Sequence, residues 1–142
     1  MKQVWVILFL CLCSIALPQQ VRPYPGARID QAATTEAQSA AANQPGVEVA
    51  VYITRDSFDK VYAYYKKNAK EYKVIGARAR KLPTGQELRD AFFILDEVSD
   101  LFSSKRWVKI QRPYLGQYGL ARGVTNPSEI RDVTAIVLTK QK

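Results

Sequence analysis

The chain has 142 residues, of which 47% are hydrophobic and 24% charged, as in one globular domain with a full core. It contains two cysteines and no histidine, and its 21 basic residues outnumber its 13 acidic ones, for a formal charge of +8. The missing histidine excludes serine–histidine and cysteine–histidine catalysis, and the common zinc geometries are excluded because both cysteines also lie in a segment that is expected to be removed.

The first sixteen residues have the composition of a secretory signal peptide. Lys2 supplies a positive charge, and residues 4–16 form an apolar run, interrupted by Ser14, that is too short to span a bilayer. Ser14 and Ala16 place small residues where a signal peptidase cleaves, so residues 1–16 are expected to be removed after Ala16. An uncleaved N-terminal membrane anchor is the alternative.

Both cysteines, Cys11 and Cys13, fall inside this segment. Neither follows a small residue, as a lipoprotein signal would require. Removal of 16 of the 142 residues leaves 126, without cysteine and with a charge of about +7. Because an exported domain held by its core alone is typical of bacterial envelopes, we expect a periplasmic or secreted protein.

Residues 17–46 form an alanine-rich leader. Asp30 is suited to capping a helix through the alanine run, and Pro45–Gly46 would end it. Alanine favours helix but offers little surface to bury. A short helix and a flexible leader both remain open for residues 30–43.

The clearest pattern begins at Val47. Residues 47–54 alternate apolar and polar side chains, which predicts a strand with one buried face. Asp56 is the predicted N-cap of the helix that follows, over residues 57–72. Its apolar face is formed by Phe58, Val61, Tyr62, Tyr65, Ala69 and Tyr72.

Three further strands are predicted at residues 91–95, 107–111 and 133–139. Together with the first strand and its helix, they predict a single α+β domain over residues 47–142. In this fold one amphipathic helix packs on a mostly antiparallel sheet of three to four strands, in two layers.

Two similar pentapeptides, RPYPG at residues 22–26 and RPYLG at residues 112–116, are not followed by similar sequence. We interpret them as two independent turns, in which proline keeps the preceding arginine extended and glycine reverses the chain. The alternative is that Tyr24 and Tyr114 meet in space as one aromatic patch.

Three segments along the mature chain carry a shared pattern. YPGA at residues 24–27, VYITRDSFDKVYAYY at 51–65 and WVKIQRPY at 107–114 resemble a group of small exported bacterial proteins of uncharacterised function. These proteins combine a YPGA opening, a strand ending in Thr-x-Asp and an F-x-x-V-x-x-Y-Y helix. The resemblance implies export and the strand–helix–sheet layout, but it implies no active site.

Candidate chemical sites are few. Ser103, Ser104 and Lys105 are adjacent in a polar connection, which disfavours a serine–lysine pair. Asp96, Glu97 and Asp100 form one acidic cluster that lacks the ligand ladder of an EF-hand. The glycine-rich segment 115–123 does not match a phosphate loop; if it binds a ligand, Tyr118, Arg122 and Arg131 are the expected contacts. No metal and no cofactor is expected.

The remaining candidate is a basic segment between residues 60 and 81, in which Glu71 is the single acid. Its candidate binding residues are Lys66, Lys67, Lys70, Lys73, Arg78 and Arg80. They suit either a solvated helix face or contact with an anionic envelope component: lipid headgroups, lipopolysaccharide or an acidic polymer. Export disfavours nucleic acid as the partner. We therefore expect a non-catalytic envelope module, with a small carboxylate-based hydrolase as the alternative.

Overall fold

A computed structural model of the chain describes residues 23–74, 80–116 and 129–142. Within these ranges the backbone forms two helices and seven strands. Their order is β1 (Arg28–Ile29), α1 (Gln31–Ala40), β2 (Val47–Thr54), α2 (Phe58–Asn68), β3 (Lys70–Tyr72), β4 (Arg80–Lys81), β5 (Glu87–Ile94), β6 (Arg106–Arg112) and β7 (Thr134–Gln141). All strand pairs are antiparallel, in the order β1-β2-β7-β6-β5-β3, with β4 also paired to β5.

The expected two-layer fold, with one helix on three or four strands, is wrong. The described part of the chain contains a seven-stranded sheet with a helix on each face. In β7, Ile136 lies in the core beneath α2, whereas Ala135 and Val137 lie in the core beneath α1. Because successive side chains of a strand point to opposite faces, α1 and α2 cover opposite sides of the sheet.

The prediction missed α1 as a core element and the short strands β1, β3 and β4. These strands have only two or three residues each, too few to show an alternating pattern. The strands predicted at residues 47–54, 91–95, 107–111 and 133–139 are present as β2, β5, β6 and β7, although β5 already begins at Glu87.

Helix α1 decides between the two alternatives for the alanine-rich segment. Asp30 is its N-cap, and the carboxylate accepts a 3.0 Å hydrogen bond from the amide of Ala33. Ala33 and Ala37 are buried in the core with Val51 and Ile53. Small side chains therefore pack this helix against the sheet, and the helical alternative is confirmed.

Polar side chains of α1 also bind the backbone of β2, which β1 covers only at Tyr52 and Ile53. The side-chain amide of Gln38 donates to the carbonyl of Val47 at 2.9 Å and accepts from the amide of Val49 at 2.8 Å. The hydroxyl of Thr34 accepts from the amide of Val51 at 2.9 Å. These bonds satisfy backbone groups that an edge strand would otherwise leave open.

Helix α2 differs from its prediction at both ends. Its N-cap is Ser57 and not Asp56. The hydroxyl of Ser57 accepts a 3.3 Å hydrogen bond from the amide of Lys60. The helix ends at Asn68 because Ala69 is extended (φ −149°, ψ 165°) and turns the chain back into β3. Tyr72 therefore belongs to a strand and not to the helix.

The predicted apolar face of α2 is otherwise confirmed. Phe58, Val61 and Tyr65 are buried in the core with Phe93 and Val108. The rings of Tyr65 and Phe93 lie 5.9 Å apart, within the distance at which aromatic pairs stabilise a core. Among the described residues, no helix has the length and apolar character that crossing a bilayer requires.

The two similar pentapeptides lie on different faces of the sheet. Tyr24 is in the core beneath α2 and Tyr114 in the core beneath α1, so the alternative of one shared aromatic patch is wrong. Gly26 and Gly116 have φ values of 81° and 73°, which only glycine adopts without strain. The predicted turn at Gly26 is confirmed, with the amide of Ala27 bound to the carbonyl of Tyr24 at 3.0 Å, whereas the chain directly after Gly116 lies outside the described residues.

Candidate functional site

Four lysines of the basic segment are exposed close together along the chain. Lys66 and Lys67 are in the last turn of α2, Lys70 opens β3, and Lys73 follows β3. Because β3 ends the sheet order, Lys70 lies on an edge strand. We call Lys66, Lys67, Lys70 and Lys73 the lysine patch.

The charge of the lysine patch is not neutralised by the described residues. None of its four ammonium groups forms an ion pair within the described ranges. Glu71, the single acid of the segment, accepts a 2.8 Å hydrogen bond from the hydroxyl of Tyr62. The ammonium of Lys66 lies 3.3 Å from that hydroxyl and 5.3 Å from the centre of the Tyr62 ring, which holds it over an aromatic face.

Arg80, the other described residue of the predicted basic site, is not part of this patch. Arg80 lies on β4, where its guanidinium is 4.0 Å from the carboxylate of Asp90. Lys60, at the other end of α2, pairs with Asp56 at 3.1 Å. Arg78 lies outside the described residues. Four cations without an ion pair to any described residue therefore follow one another from the C-terminal end of α2 to the residue after β3.

Of the three predicted loop contacts, Tyr118 and Arg122 lie outside the described residues, and Arg131 is described. The guanidinium of Arg131 binds the carboxylate of Asp30 at 2.7 Å and lies 5.8 Å from the centre of the Tyr114 ring. The amide of Ala33, and after it Arg131, holds the pKa of Asp30 below its ordinary value. Arg131 therefore ties the chain ahead of β7 to the start of α1.

Arg131 also lines an open cleft of about 540 Å³ beside β1 and the end of β2. Two further arginines, Arg28 and Arg55, line the same cleft. Sequence reasoning did not single out Arg28 or Arg55. Arg28 lies in β1 and Arg55 directly follows β2, so their common position depends on the pairing of Arg28 with Ile53 across the two strands. We call this feature the arginine cleft.

The acidic cluster has a structural position. The carboxylate of Asp96 accepts hydrogen bonds from the backbone amides of Lys105 at 2.7 Å and Arg106 at 3.2 Å, and from the hydroxyl of Ser104 at 2.9 Å. Asp100 accepts from Ser103 at 3.3 Å. Asp96 thereby closes the turn between β5 and β6. The described ranges contain no group of three or more acidic side chains arranged to hold a metal ion.

Ser104 is buried, and its hydroxyl donates to Asp96 or to the carbonyl of Arg106. Within the described residues, no hydrogen bond joins the Ser104 hydroxyl to a lysine ammonium. The structure therefore assigns this serine to the turn rather than to a serine–lysine pair.

Several other carboxylates of the described chain, among them Asp56 and Asp59, are engaged by cations or hydrogen-bond donors. Tyr24, followed by Lys60, lowers the pKa of Asp56, and Arg89 lowers the pKa of Asp59. A general acid of a hydrolase needs the opposite, a carboxyl whose pKa is raised by burial or by a second carboxylate. These carboxylates are held in their ionised form.

No protein-family model matches the chain, and neither a curated protein nor a solved structure matches it.

Proposed function

We propose that this protein is a non-catalytic module, exported to the periplasm or medium, that binds an anionic envelope component through the lysine patch. The patch carries four positive charges in an exposed position. Lipid headgroups, lipopolysaccharide phosphates and acidic polymers all present a dense negative surface to such a patch. Near a negatively charged membrane, each lysine contributes on the order of 1 kcal/mol of binding free energy.

The single observation that carries the proposal is that four exposed lysines, all without an ion pair in the described part of the chain, lie within eight residues at the end of α2 and around β3. Lys60, Arg80, Arg89 and Lys142 each have an acidic partner within 4.0 Å. The four lysines of the patch have none within the described ranges. Their charge is therefore available to a partner. Export itself is inferred from residues 1–16 and from the resemblance carried by residues 24–27, 51–65 and 107–114.

Two structural roles compete with this function. Lysines in the last turn of a helix stabilise its carbonyl end, and lysines on an edge strand prevent pairing with another sheet. Both roles affect folding or aggregation, whereas the proposed function affects binding to an anionic surface. A binding measurement on folded, monomeric variants separates them.

The test is co-sedimentation of the purified protein with vesicles of anionic lipid and, separately, with lipopolysaccharide. We expect association at low salt that weakens near physiological ionic strength, where the screening length is about 8 Å. Changing Lys66, Lys67, Lys70 and Lys73 to glutamine is expected to weaken binding at least about a hundredfold, because each lysine contributes on the order of 1 kcal/mol. Thermal stability should change little, since exposed charges contribute little to folding.

The matched control replaces four other exposed lysines, Lys60, Lys105, Lys140 and Lys142, with glutamine. This variant loses the same net charge but retains the patch, so its binding should stay close to that of the wild type. Equal binding of the wild type and the patch variant at low salt would contradict the proposal. Equal loss in both variants would show that net charge alone drives association.

A further inference from the structure

We propose that the arginine cleft is a binding site for a phosphate monoester, distinct from the lysine patch. The cleft has a volume of about 540 Å³, within the range of small-molecule sites. Arg28, Arg55 and Arg131 line it together with a single carboxylate, Asp56. Its lining thus carries three positive charges against one negative charge.

The carboxylates near the cleft already have hydrogen-bond or ion-pair partners. The carboxylate of Asp56 accepts a 2.6 Å hydrogen bond from Tyr24 and pairs with Lys60 at 3.1 Å. The carboxylate of Asp30 is occupied by the amide of Ala33 and by Arg131. Arg28 and Arg55 form no ion pair with any described residue. Two guanidinium groups therefore remain available to a ligand.

The backbone that carries Arg55 is held in place by hydrogen bonds from two side chains. The guanidinium of Arg112 donates to the carbonyls of Arg55 at 3.4 Å and Asp56 at 3.0 Å. The hydroxyl of Thr134 donates to the carbonyl of Asp56 at 2.6 Å. Arg28 is fixed by its pairing with Ile53 in the sheet. Both arginine stems thus start from positioned backbone, which lowers the entropic cost of binding an anion.

The charge and the shape favour a dianion with an attached organic group. Guanidinium groups bind phosphate oxygens through two parallel hydrogen bonds, and a phosphate monoester carries close to two negative charges at neutral pH. This charge balances the excess of two on the cleft lining. Ile53 and Val133 add apolar surface beside the arginines for the carbon atoms of the ester.

The test is isothermal titration of the purified chain with inorganic phosphate and with glycerol 1-phosphate at about 0.15 M salt, where long-range attraction is screened. We expect one glycerol phosphate per chain. Arg28→Gln and Arg55→Gln are each expected to weaken binding about tenfold or more, because each removes a charge-assisted hydrogen bond. The Lys66, Lys67, Lys70 and Lys73 glutamine variant should bind as the wild type does.

Absence of binding to both phosphates would overturn the proposal, as would unchanged affinity in both arginine variants. A loss in the lysine variant as large as in the arginine variants would also overturn it, because net charge would then explain the binding. Vesicles distinguish the source of the ester: preference for phosphatidic acid over phosphatidylglycerol, lost in Arg55→Gln, indicates a lipid headgroup. Soluble binding without this preference indicates a free ester. Failure of the vesicle test for the lysine patch leaves this result unaffected.

Discussion

The hydroxyl of Tyr24 donates a 2.6 Å hydrogen bond to the carboxylate of Asp56, which lies 32 positions later in the chain. Tyr24 also meets the ring of Tyr64 edge to face, with 5.3 Å between the ring centres. Asp56 lies in the turn between β2 and α2. This bond therefore fixes the segment ahead of β1 against the start of α2, on the side of the sheet opposite α1.

Stability at alkaline pH should depend on this bond. The bond to Asp56, followed by burial, raises the pKa of Tyr24 to about 12, whereas an unfolded tyrosine ionises near pH 10. The folded chain thus holds a proton that the unfolded chain loses. The contribution of Tyr24 is full below pH 10 and is lost as the pH rises towards 12. Urea unfolding of Tyr24→Phe at pH 9, 10 and 11 should show a shallower loss of stability than the wild type.

The control is Asp56→Ala, which removes the same bond from the acceptor side. Burial still raises the pKa of Tyr24 in Asp56→Ala, so the pH slope of this variant should lie between those of the wild type and Tyr24→Phe, and the double variant should have the slope of Tyr24→Phe. Tyr114, whose pKa burial raises to about 12, keeps a residual slope in every variant. An identical slope in the wild type and Tyr24→Phe would show that the bond does not persist in solution.

The N-cap of α1 should make a second, acid-sensitive contribution. Asp30→Ala is expected to cost about 1 kcal/mol of unfolding free energy, the usual value for a lost carboxylate cap. Asp30→Asn should cost less, because an amide oxygen still accepts from Ala33. Since the folded-state pKa of Asp30 is lowered, its charge stabilises the fold above about pH 4 and the effect is lost as the pH falls further. Urea unfolding at pH 7 and pH 3 measures both effects.

The difference between the wild type and Asp30→Asn should be smaller at pH 3 than at pH 7. Arg131→Gln removes the other partner, and its difference from the wild type should narrow in the same way. A difference between wild type and Asp30→Asn that is as large at pH 3 as at pH 7 would contradict a charge-dependent role.

The place of α1 shows what the sequence could and could not predict. The N-cap at Asp30 could be predicted from its residue type and its position ahead of the alanine run. The long strands β2, β5, β6 and β7 could be predicted from their apolar residues. The burial of α1 was not visible, because the residues that pack it are the smallest apolar ones, Ala33 and Ala37. The packing of these alanines is supplemented by hydrogen bonds from Thr34 and Gln38 to the backbone of β2. A hydrophobic pattern cannot reveal a bond between a side chain and a distant backbone.

Gln38 should therefore contribute to stability although it is exposed. Gln38→Ala removes the hydrogen bonds to Val47 and Val49 and is expected to cost about 1 kcal/mol. The amide of Val49 should also exchange with solvent faster, which hydrogen exchange measured by NMR detects directly. Gln31→Ala, the same substitution at an exposed position of the same helix, should leave both quantities unchanged. Equal effects at both positions would mean that helix propensity, and not the bond to β2, is being measured.

The candidate sites show the same division. The lysine patch was visible because its residues are close in the sequence. The arginine cleft was not, because Arg28, Arg55 and Arg131 come from three separate segments that meet through the sheet. Arg131 alone was identified, as an expected contact of a ligand bound at the glycine-rich segment 115–123. A site formed by neighbouring residues can be recognised in the sequence. A site formed by distant segments can be recognised only once the strand register is known.

Lys109, a lysine within the sheet, leads to a further prediction about stability. Lys109, in β6, is opposite Phe92 of β5 and Val137 of β7. Its ammonium lies 5.8 Å from the centre of the Phe92 ring, in an open groove of about 310 Å³ beside α1 that is also lined by Trp107. Burial lowers the pKa of Lys109, and nearby Asp90 offsets this in part. The folded state therefore tolerates this positive charge less well than water does.

Replacing Lys109 with methionine should raise the unfolding free energy at neutral pH, because a similar volume is kept and the buried charge is removed. A lysine with a lowered folded-state pKa loses its proton on the folded chain first, so its destabilising effect fades as the pH rises towards the unfolded value near 10.5. The advantage of Lys109→Met over the wild type should thus shrink between pH 7 and pH 10 in urea unfolding. Lys105→Met, at an exposed position just ahead of β6, should show no such trend. If Lys109→Met is less stable than the wild type at pH 7, with a difference that does not change with pH, the ammonium is solvated in the groove and its contact with Phe92 stabilises the fold.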